Sequence, residues 1–157
     1  MNTENWPWTI NDFLNAMKEN PGKTAEEIHE IASQYKIERE NKERQRKIDS
    51  DKHYDSLVGR YFIVNFNNHS KIFFQLQRDK NYNDYFRSKT YGVINSDNEW
   101  DVFSEMRTIN KTWLPNPYEK PNNAIVECKE ITKEQFDELY NDLKIAKEIN
   151  EKLMKNL

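Results

Sequence analysis

Cysteine and glycine are both scarce in this chain of 157 residues. The single cysteine, Cys128, excludes an intrachain disulfide and is typical of a reducing compartment. The three glycines lie far apart, so no glycine-rich loop for binding phosphate can be built from them. We therefore expect neither a disulfide scaffold nor a nucleotide loop, and we expect Cys128 to be a small buried hydrophobic residue.

Apolar residues are sparse as well. They make up 36% of the chain and charged residues 32%, against about 45–50% apolar residues in ordinary globular domains. No apolar run approaches the ~18 residues of a membrane helix. The first residues include Glu4 and lack the apolar stretch of a secretory signal, so we do not expect a signal peptide. The sequence therefore predicts a cytoplasmic protein with no membrane contact and one modest core. Aromatic residues cluster within residues 54–118, which locates that core.

The net charge of −3 implies no general attraction to nucleic acid or anionic lipid. One local exception is residues 36–49, which we predict to be helical. Their basic side chains could follow a phosphate backbone, and those considered for this role are Arg39, Lys42, Arg44, Arg46 and Lys47. Glutamates at positions 38, 40 and 43 are interleaved with them, which favours a solvated helix face.

Two helix starts are marked near the N-terminus. Thr9 and Asp12 have capping-box spacing, and Trp8 and Phe13 have the spacing of a hydrophobic staple, so we predict a helix over 9–19. Its apolar residues recur on one face, namely Ile10, Phe13, Leu14 and Met17.

A second capping box, Thr24 with Glu27, opens a longer helix. We expect its charged extension to fray at Ser50-Asp51, and we assign residues 1–56 to an N-terminal helical hairpin region.

From Leu57 the apolar period changes from 3.6 to 2, which predicts strands. The candidates are 60–66, 72–76, 90–94, 100–107 and 124–130. Five short strands with turn-rich connections are too few for a sandwich. The predicted fold class is therefore α+β, with residues 57–131 forming a small five-stranded, partly open barrel of the SH3-like or OB-like kind.

The last helix has the clearest start in the chain. Thr132 and Gln135 form a capping box, and Ile131 and Phe136 form the staple around it. Apolar residues at spacings of three or four extend this helix over about 22 residues. We expect the C-terminal helix, 132–157, to pack on the barrel or on the first two helices.

Two segments carry a resemblance to a known group. Leu57-Val-Gly-Arg-Tyr-Phe62 and Glu130-Ile-Thr-Lys-Glu-Gln-Phe136 resemble the strand and the helix that open and close a small β-barrel in uncharacterised proteins of phages and mobile elements. The resemblance covers roughly residues 57–145 and brings no catalytic residues. It implies an accessory protein that acts in the host cytoplasm.

The candidate partner-binding residues lie in a proline-rich loop. Trp113 and Tyr118 lie among Pro115, Pro117 and Pro121, which restrict the backbone. Such a loop displays apolar area at low entropic cost and suits an interface anchor. The alternative is that Trp113 folds back to plug the barrel. Trp6 is a third candidate anchor.

No catalytic, metal or cofactor site is predicted. The three histidines are scattered, and the cluster Asp97, Glu99 and Asp101 lacks the pattern of a calcium loop, so we interpret it as a solvated turn. The leading hypothesis is therefore a non-enzymatic accessory protein that binds another protein, by interference with a host enzyme or defence system or as part of a virion. The alternative is a small nucleic-acid-binding barrel. Partner identity and oligomeric state stay open.

Overall fold

A computed structural model describes residues 6–82, 85–96, 99–120 and 123–156, and in residues 95, 96, 99–101, 103 and 126 the backbone alone. The elements in chain order are α1 (Ile10–Glu19), α2 (Ala25–Ser56), β1 (Tyr61–Phe66), β2 (Lys71–Gln75), β3 (Phe86–Ser96), β4 (Glu99–Ile109), a 3-10 turn (Lys111–Trp113), β5 (Ile125–Ile131) and α3 (Lys133–Lys155). The predicted α+β class and five strands are confirmed. The strands form one antiparallel sheet in the order β4-β3-β2-β1-β5, and this sheet is not closed.

The chain divides into two compact units, Met1–Asp49 and Ser50–Leu157. The last turns of α2 therefore group with the sheet, whereas the sequence assigned all of 1–56 to one helical region. We call Met1–Asp49 the helical unit and Ser50–Leu157 the sheet unit.

The helical unit begins as its local signals predict. The Thr9 hydroxyl accepts a hydrogen bond from the Asp12 amide, and the Asp12 carboxylate accepts one from the Thr9 amide. The Trp8 and Phe13 rings lie 4.8 Å apart, which confirms the staple. The apolar face of α1 is divided, however. Phe13 packs towards α2 around a small core, while the other members of the predicted stripe are exposed, namely Ile10, Leu14 and Met17.

The second helix does not fray at Ser50-Asp51, so that prediction is wrong. α2 continues to Ser56, with Ser50 only 2% exposed and Tyr54 and Leu57 buried in the core of the sheet unit. Burial of these side chains, worth about 1.5–3 kcal/mol for each large apolar one, outweighs the weak local helix preference of Ser and Asp.

The two faces of the sheet follow the predicted alternation. Phe62 and Val64 on β1 are fully buried on the inner face, and Phe62 lies opposite Phe74 of β2. Tyr61 and Ile63 point to the outer face. The inner core also includes apolar residues from β2, β3, β4 and the segments that flank them, namely Ile72, Leu76, Phe86, Ile109 and Leu114.

Strands β3 and β4 are longer than predicted and pair over eleven residues each without a register shift. Gly92 allows β2 to approach β3 closely. A Cβ at this position would clash with the Lys71 carbonyl oxygen and lie 2.9 Å from the Ile72 Cα atom. The absence of a side chain at Gly92 is therefore a packing requirement.

The capping box of Thr132 and Gln135 opens α3 as predicted. Phe136 then packs on the outer face, with its ring 4.9 Å from Tyr61 and 5.5 Å from Phe73. Of the alternatives offered by the sequence, α3 therefore packs on the sheet. Within the described residues, no helix has the length and apolar character that a membrane span requires.

Candidate functional site

The proline loop is held to the end of α2 by side-chain hydrogen bonds. The Ser50 hydroxyl donates to Glu119 Oε1 at 2.9 Å and accepts from Asn116 Nδ2 at 3.0 Å. A His53 ring nitrogen lies 2.9 Å from the Pro115 carbonyl oxygen. Because Ser50 is buried, these contacts attach the loop to the end of α2. The loop therefore has this conformation without a bound partner.

Within this loop, the structure separates the two predicted anchors. Trp113 is half-buried, packs against the inner core and meets Phe66 edge to face with ring centroids 5.2 Å apart. Tyr118 is 43% exposed, and its amide donates to Asn116 Oδ1 at 3.0 Å. Trp113 therefore supports the loop, and Tyr118 is the residue that presents an aromatic ring to solvent.

Trp113 also lines three surface hollows of the sheet unit. Their volumes are about 270, 430 and 530 Å³. The first lies under the loop and includes Cys128, and the second contains Arg107, Phe66 and Ile94. Each hollow is bordered by Trp113, so a substitution of this residue would alter all three hollows.

The third predicted anchor, Trp6, belongs to the helical unit. It is 38% exposed, and its ring lies 5.7 Å from that of Trp8 in an edge-to-face contact. Its carbonyl oxygen accepts a hydrogen bond from Lys36 Nζ at 2.5 Å. Trp6 therefore presents its ring to solvent while its backbone is attached to α2.

Two of the candidate phosphate-binding side chains are engaged with carboxylates. Arg39 forms a two-pronged ion pair with the buried Asp12. Hydrogen bonds from Arg39, supported by those from Thr9, outweigh burial and lower the pKa of Asp12 to about 2. Arg46 pairs with Glu43 at 2.5 Å, which lowers the pKa of Glu43.

The remaining basic candidates, Lys42, Arg44 and Lys47, are exposed on α2. Arg44 lies 3.5 Å from Asn41 Oδ1, at the limit of a hydrogen bond. With Arg39 and Arg46 engaged by carboxylates, three of the five candidates remain exposed to solvent.

Two kinds of reactive group were considered among the described residues, an activated thiol and a metal cluster. Burial raises the pKa of the Cys128 thiol to about 12, so the thiol is protonated at neutral pH and is a poor nucleophile. Among the described residues, no three His, Cys, Asp or Glu side chains converge on a metal position. Asp97 and the side chains of Glu99 and Asp101 lie outside the described residues.

Sequence reasoning missed a notch at the edge of the sheet, between α3 and β4. Its lining combines aromatic, aliphatic and basic side chains from three elements, among them Tyr91, Val102 and Lys147. No local pattern marks it, because the lining residues are up to 56 positions apart in the chain and meet only when α3 crosses the sheet.

Comparisons of the chain with protein-family models, curated proteins and solved structures found no match.

Proposed function

We propose that this chain is a non-enzymatic binding protein that recognises another protein through Tyr118 and the loop around it. The observation that carries the proposal is the Ser50 contact with Asn116 and Glu119, which holds the loop while Tyr118 stays exposed. Trp113 and Trp6 add aromatic surface in the sheet unit and the helical unit, respectively.

The low entropic cost of binding favours such a loop as an interface. Ordering a mobile side chain on binding costs about 0.5–1.5 kcal/mol, and ordering of a loop adds to that. The loop that carries Tyr118 is already held by hydrogen bonds with the buried Ser50 and by prolines at 115 and 117. Tyrosine has few rotatable bonds and a large ring, so it gives contact area at low entropic cost.

The biological setting in this proposal is an accessory protein of a phage or mobile element, acting in the host cytoplasm. It rests on the resemblance of Leu57–Phe62 and Glu130–Phe136 to proteins of that kind. The same proposal includes a partly open SH3-like or OB-like barrel. A barrel requires a curved sheet. Two features support such curvature: strands β1 to β4 form a meander with β5 beside β1, and β2 approaches β3 closely at Gly92.

The experiment is affinity capture from a lysate of the source organism, with and without nuclease. Wild type is compared with Tyr118→Ala and with Tyr82→Ala, a matched control because Tyr82 is 61% exposed elsewhere in the sheet unit. We expect specific proteins to be retained by wild type and by Tyr82→Ala, to be lost with Tyr118→Ala, and to survive nuclease.

Two results would contradict the proposal. Equal capture by all three proteins would remove Tyr118 from the interface. The nucleic-acid alternative would be favoured if nuclease treatment abolished capture and if the variant Lys42→Gln/Arg44→Gln/Lys47→Gln also lost it.

A further inference from the structure

The path of α3 leaves part of the helix beyond the sheet. Phe136 contacts β1 and β2, Tyr140 contacts Tyr91 on β3 at 5.1 Å, and Leu143 and Lys147 border β4. The helix therefore crosses the strands in the direction of the β4 edge. The eight residues after Lys147 in α3 add about 12 Å at ~1.5 Å per residue, which is more than two strand spacings of ~4.8 Å.

Where α3 passes over β4, the outer face is incompletely filled. A notch of about 170 Å³ remains between the helix and the sheet. Of the described residues that line it, Ser104 and two lysines are polar, the others are apolar or aromatic, and none is a carboxylate; the lining residues of the helix are Tyr140, Leu143, Lys144 and Lys147. The notch therefore suits an apolar side chain of an extended segment that has acidic residues two positions away, on the same face of the segment.

The adjacent strand is a suitable template for another strand. β4 is an edge of the sheet and pairs with β3 over eleven residues without a register shift. The opposite edge, β5, has seven residues, and its pairing with β1 shifts register at Asn65/Phe66. Long, regular edges take up extended segments more readily than short, irregular ones.

We propose that the β4 edge binds an extended acidic segment of another protein as a sixth strand, with one large apolar side chain of that segment in the notch. Main-chain hydrogen bonds to β4 provide affinity, and the notch with Lys144 and Lys147 provides specificity. This surface is separate from the Tyr118 loop, and the inference does not depend on that loop. A second copy is the poorer occupant, because two-fold pairing of β4 would bring these lysines towards their own counterparts.

The test uses the full chain and a synthetic amide-capped peptide, Thr-Glu-Thr-Phe-Thr-Glu-Thr, whose two glutamates share the strand face of the phenylalanine, with a counterpart in which lysine replaces each glutamate. Binding is measured by titration, and amide hydrogen exchange locates the contact. We expect slower exchange in β4 with the acidic peptide. We expect Lys144→Glu/Lys147→Glu to weaken binding by about tenfold or more, because attractive charge pairs become repulsive.

The matched control is Lys80→Glu/Lys129→Glu, which makes the same charge change on exposed positions of the sheet unit outside the notch. It should bind the acidic peptide like wild type, as should Tyr118→Ala. Loss of peptide binding in Tyr118→Ala alone would assign the site to the loop and overturn the inference.

Other results would also overturn it. They are equal binding of the basic peptide, no binding of the acidic one, or slowed exchange that omits β4. A protein that sediments as a dimer with β4 already protected would show that a second copy occupies the edge.

Discussion

The helical unit and the sheet unit are stabilised by different interactions. Among the residues whose side chains the structure describes, the core of the helical unit contains three buried apolar residues, two of them alanines, next to the ion pair of Asp12 and Arg39. On the same basis, the core of the sheet unit contains ten, including Phe62, Phe74 and Phe86. Burial of large apolar groups therefore dominates in one unit, and caps and a polar pair carry more of the stability in the other. The two units should respond to different perturbations.

The largest expected effect is in the sheet unit. Phe74→Ala removes a fully buried ring from the inner core and should lower the free energy of unfolding by about 3–5 kcal/mol. Denaturant unfolding followed by amide exchange checks this. Amides of β1 and β2 should lose protection before those of α1. A simultaneous loss in both units would contradict the comparison.

Gly92→Ala tests backbone packing in the same sheet. The added methyl group would clash with the β2 backbone at Lys71 and Ile72. Because the strands must shift to accommodate it, we expect the free energy of unfolding to fall by about 1–3 kcal/mol. Thermal unfolding measures this cost. Lys89→Ala, an exposed site on the same strand, is the control and should change the melting temperature little. Equal melting temperatures for the two variants would show that β2 and β3 separate easily.

Acid should weaken the helical unit. The pKa of Asp12 is about 2, below its ordinary value of 3.8. The stabilisation is therefore complete above about pH 4 and is lost as the pH falls towards about 2. Because Arg39 is half-exposed and screened by solvent, we expect a loss of about 1–2 kcal/mol. Amide exchange in α1 across this pH range is the measurement, and Asp12→Asn should abolish the dependence. A pH response that survives in Asp12→Asn must arise from another carboxyl group.

Loss of a cap should cost less. Thr132→Ala removes the hydroxyl that accepts from the Gln135 amide at 3.1 Å and should destabilise the sheet unit by about 1 kcal/mol. Thermal melts compare it with Thr132→Ser, which retains the hydroxyl and should behave like wild type. A Thr132→Ala melt that matches wild type would show that packing of Phe136 alone starts α3.

The smallest effect is expected on the exposed face of α2. Replacement of Lys42, Arg44, Arg46 and Lys47 with Gln removes the surface ion pair of Arg46 with Glu43. Such pairs contribute under about 1 kcal/mol, so the melting temperature should stay nearly unchanged. A fall comparable to that of Phe74→Ala would show that this face is packed rather than solvated.

Local features of the chain were predicted well. The three capping boxes lie within four-residue windows, and each requires only a hydroxyl and a carboxyl or amide group at the right spacing. The alternation of β1 likewise reports its two faces directly. Signals of this range do not depend on which segments later meet, so the sequence was sufficient to predict them.

Predictions failed where two distant segments compete. Ser50-Asp51 has weak helix preference, yet contacts with Asn116 and Glu119, 66 and 69 positions away, keep α2 helical there. The stripe Ile10, Phe13, Leu14 and Met17 has ideal helical spacing, but α2 covers only part of it. Periodicity identifies an apolar face of a helix, but it does not predict which neighbouring element covers that face.

The sequence by itself determined the α+β class, the helix starts and the strand faces, because each depends on neighbours within a few positions. The tertiary structure alone decided the order of the sheet, the division of roles between Trp113 and Tyr118, and the notch beneath α3. These depend on side chains brought together from α2, α3, β3, β4 and the proline loop. Contacts at such separations form only when the whole sheet unit packs, since the entropy of closing long loops must be offset by many contacts at once.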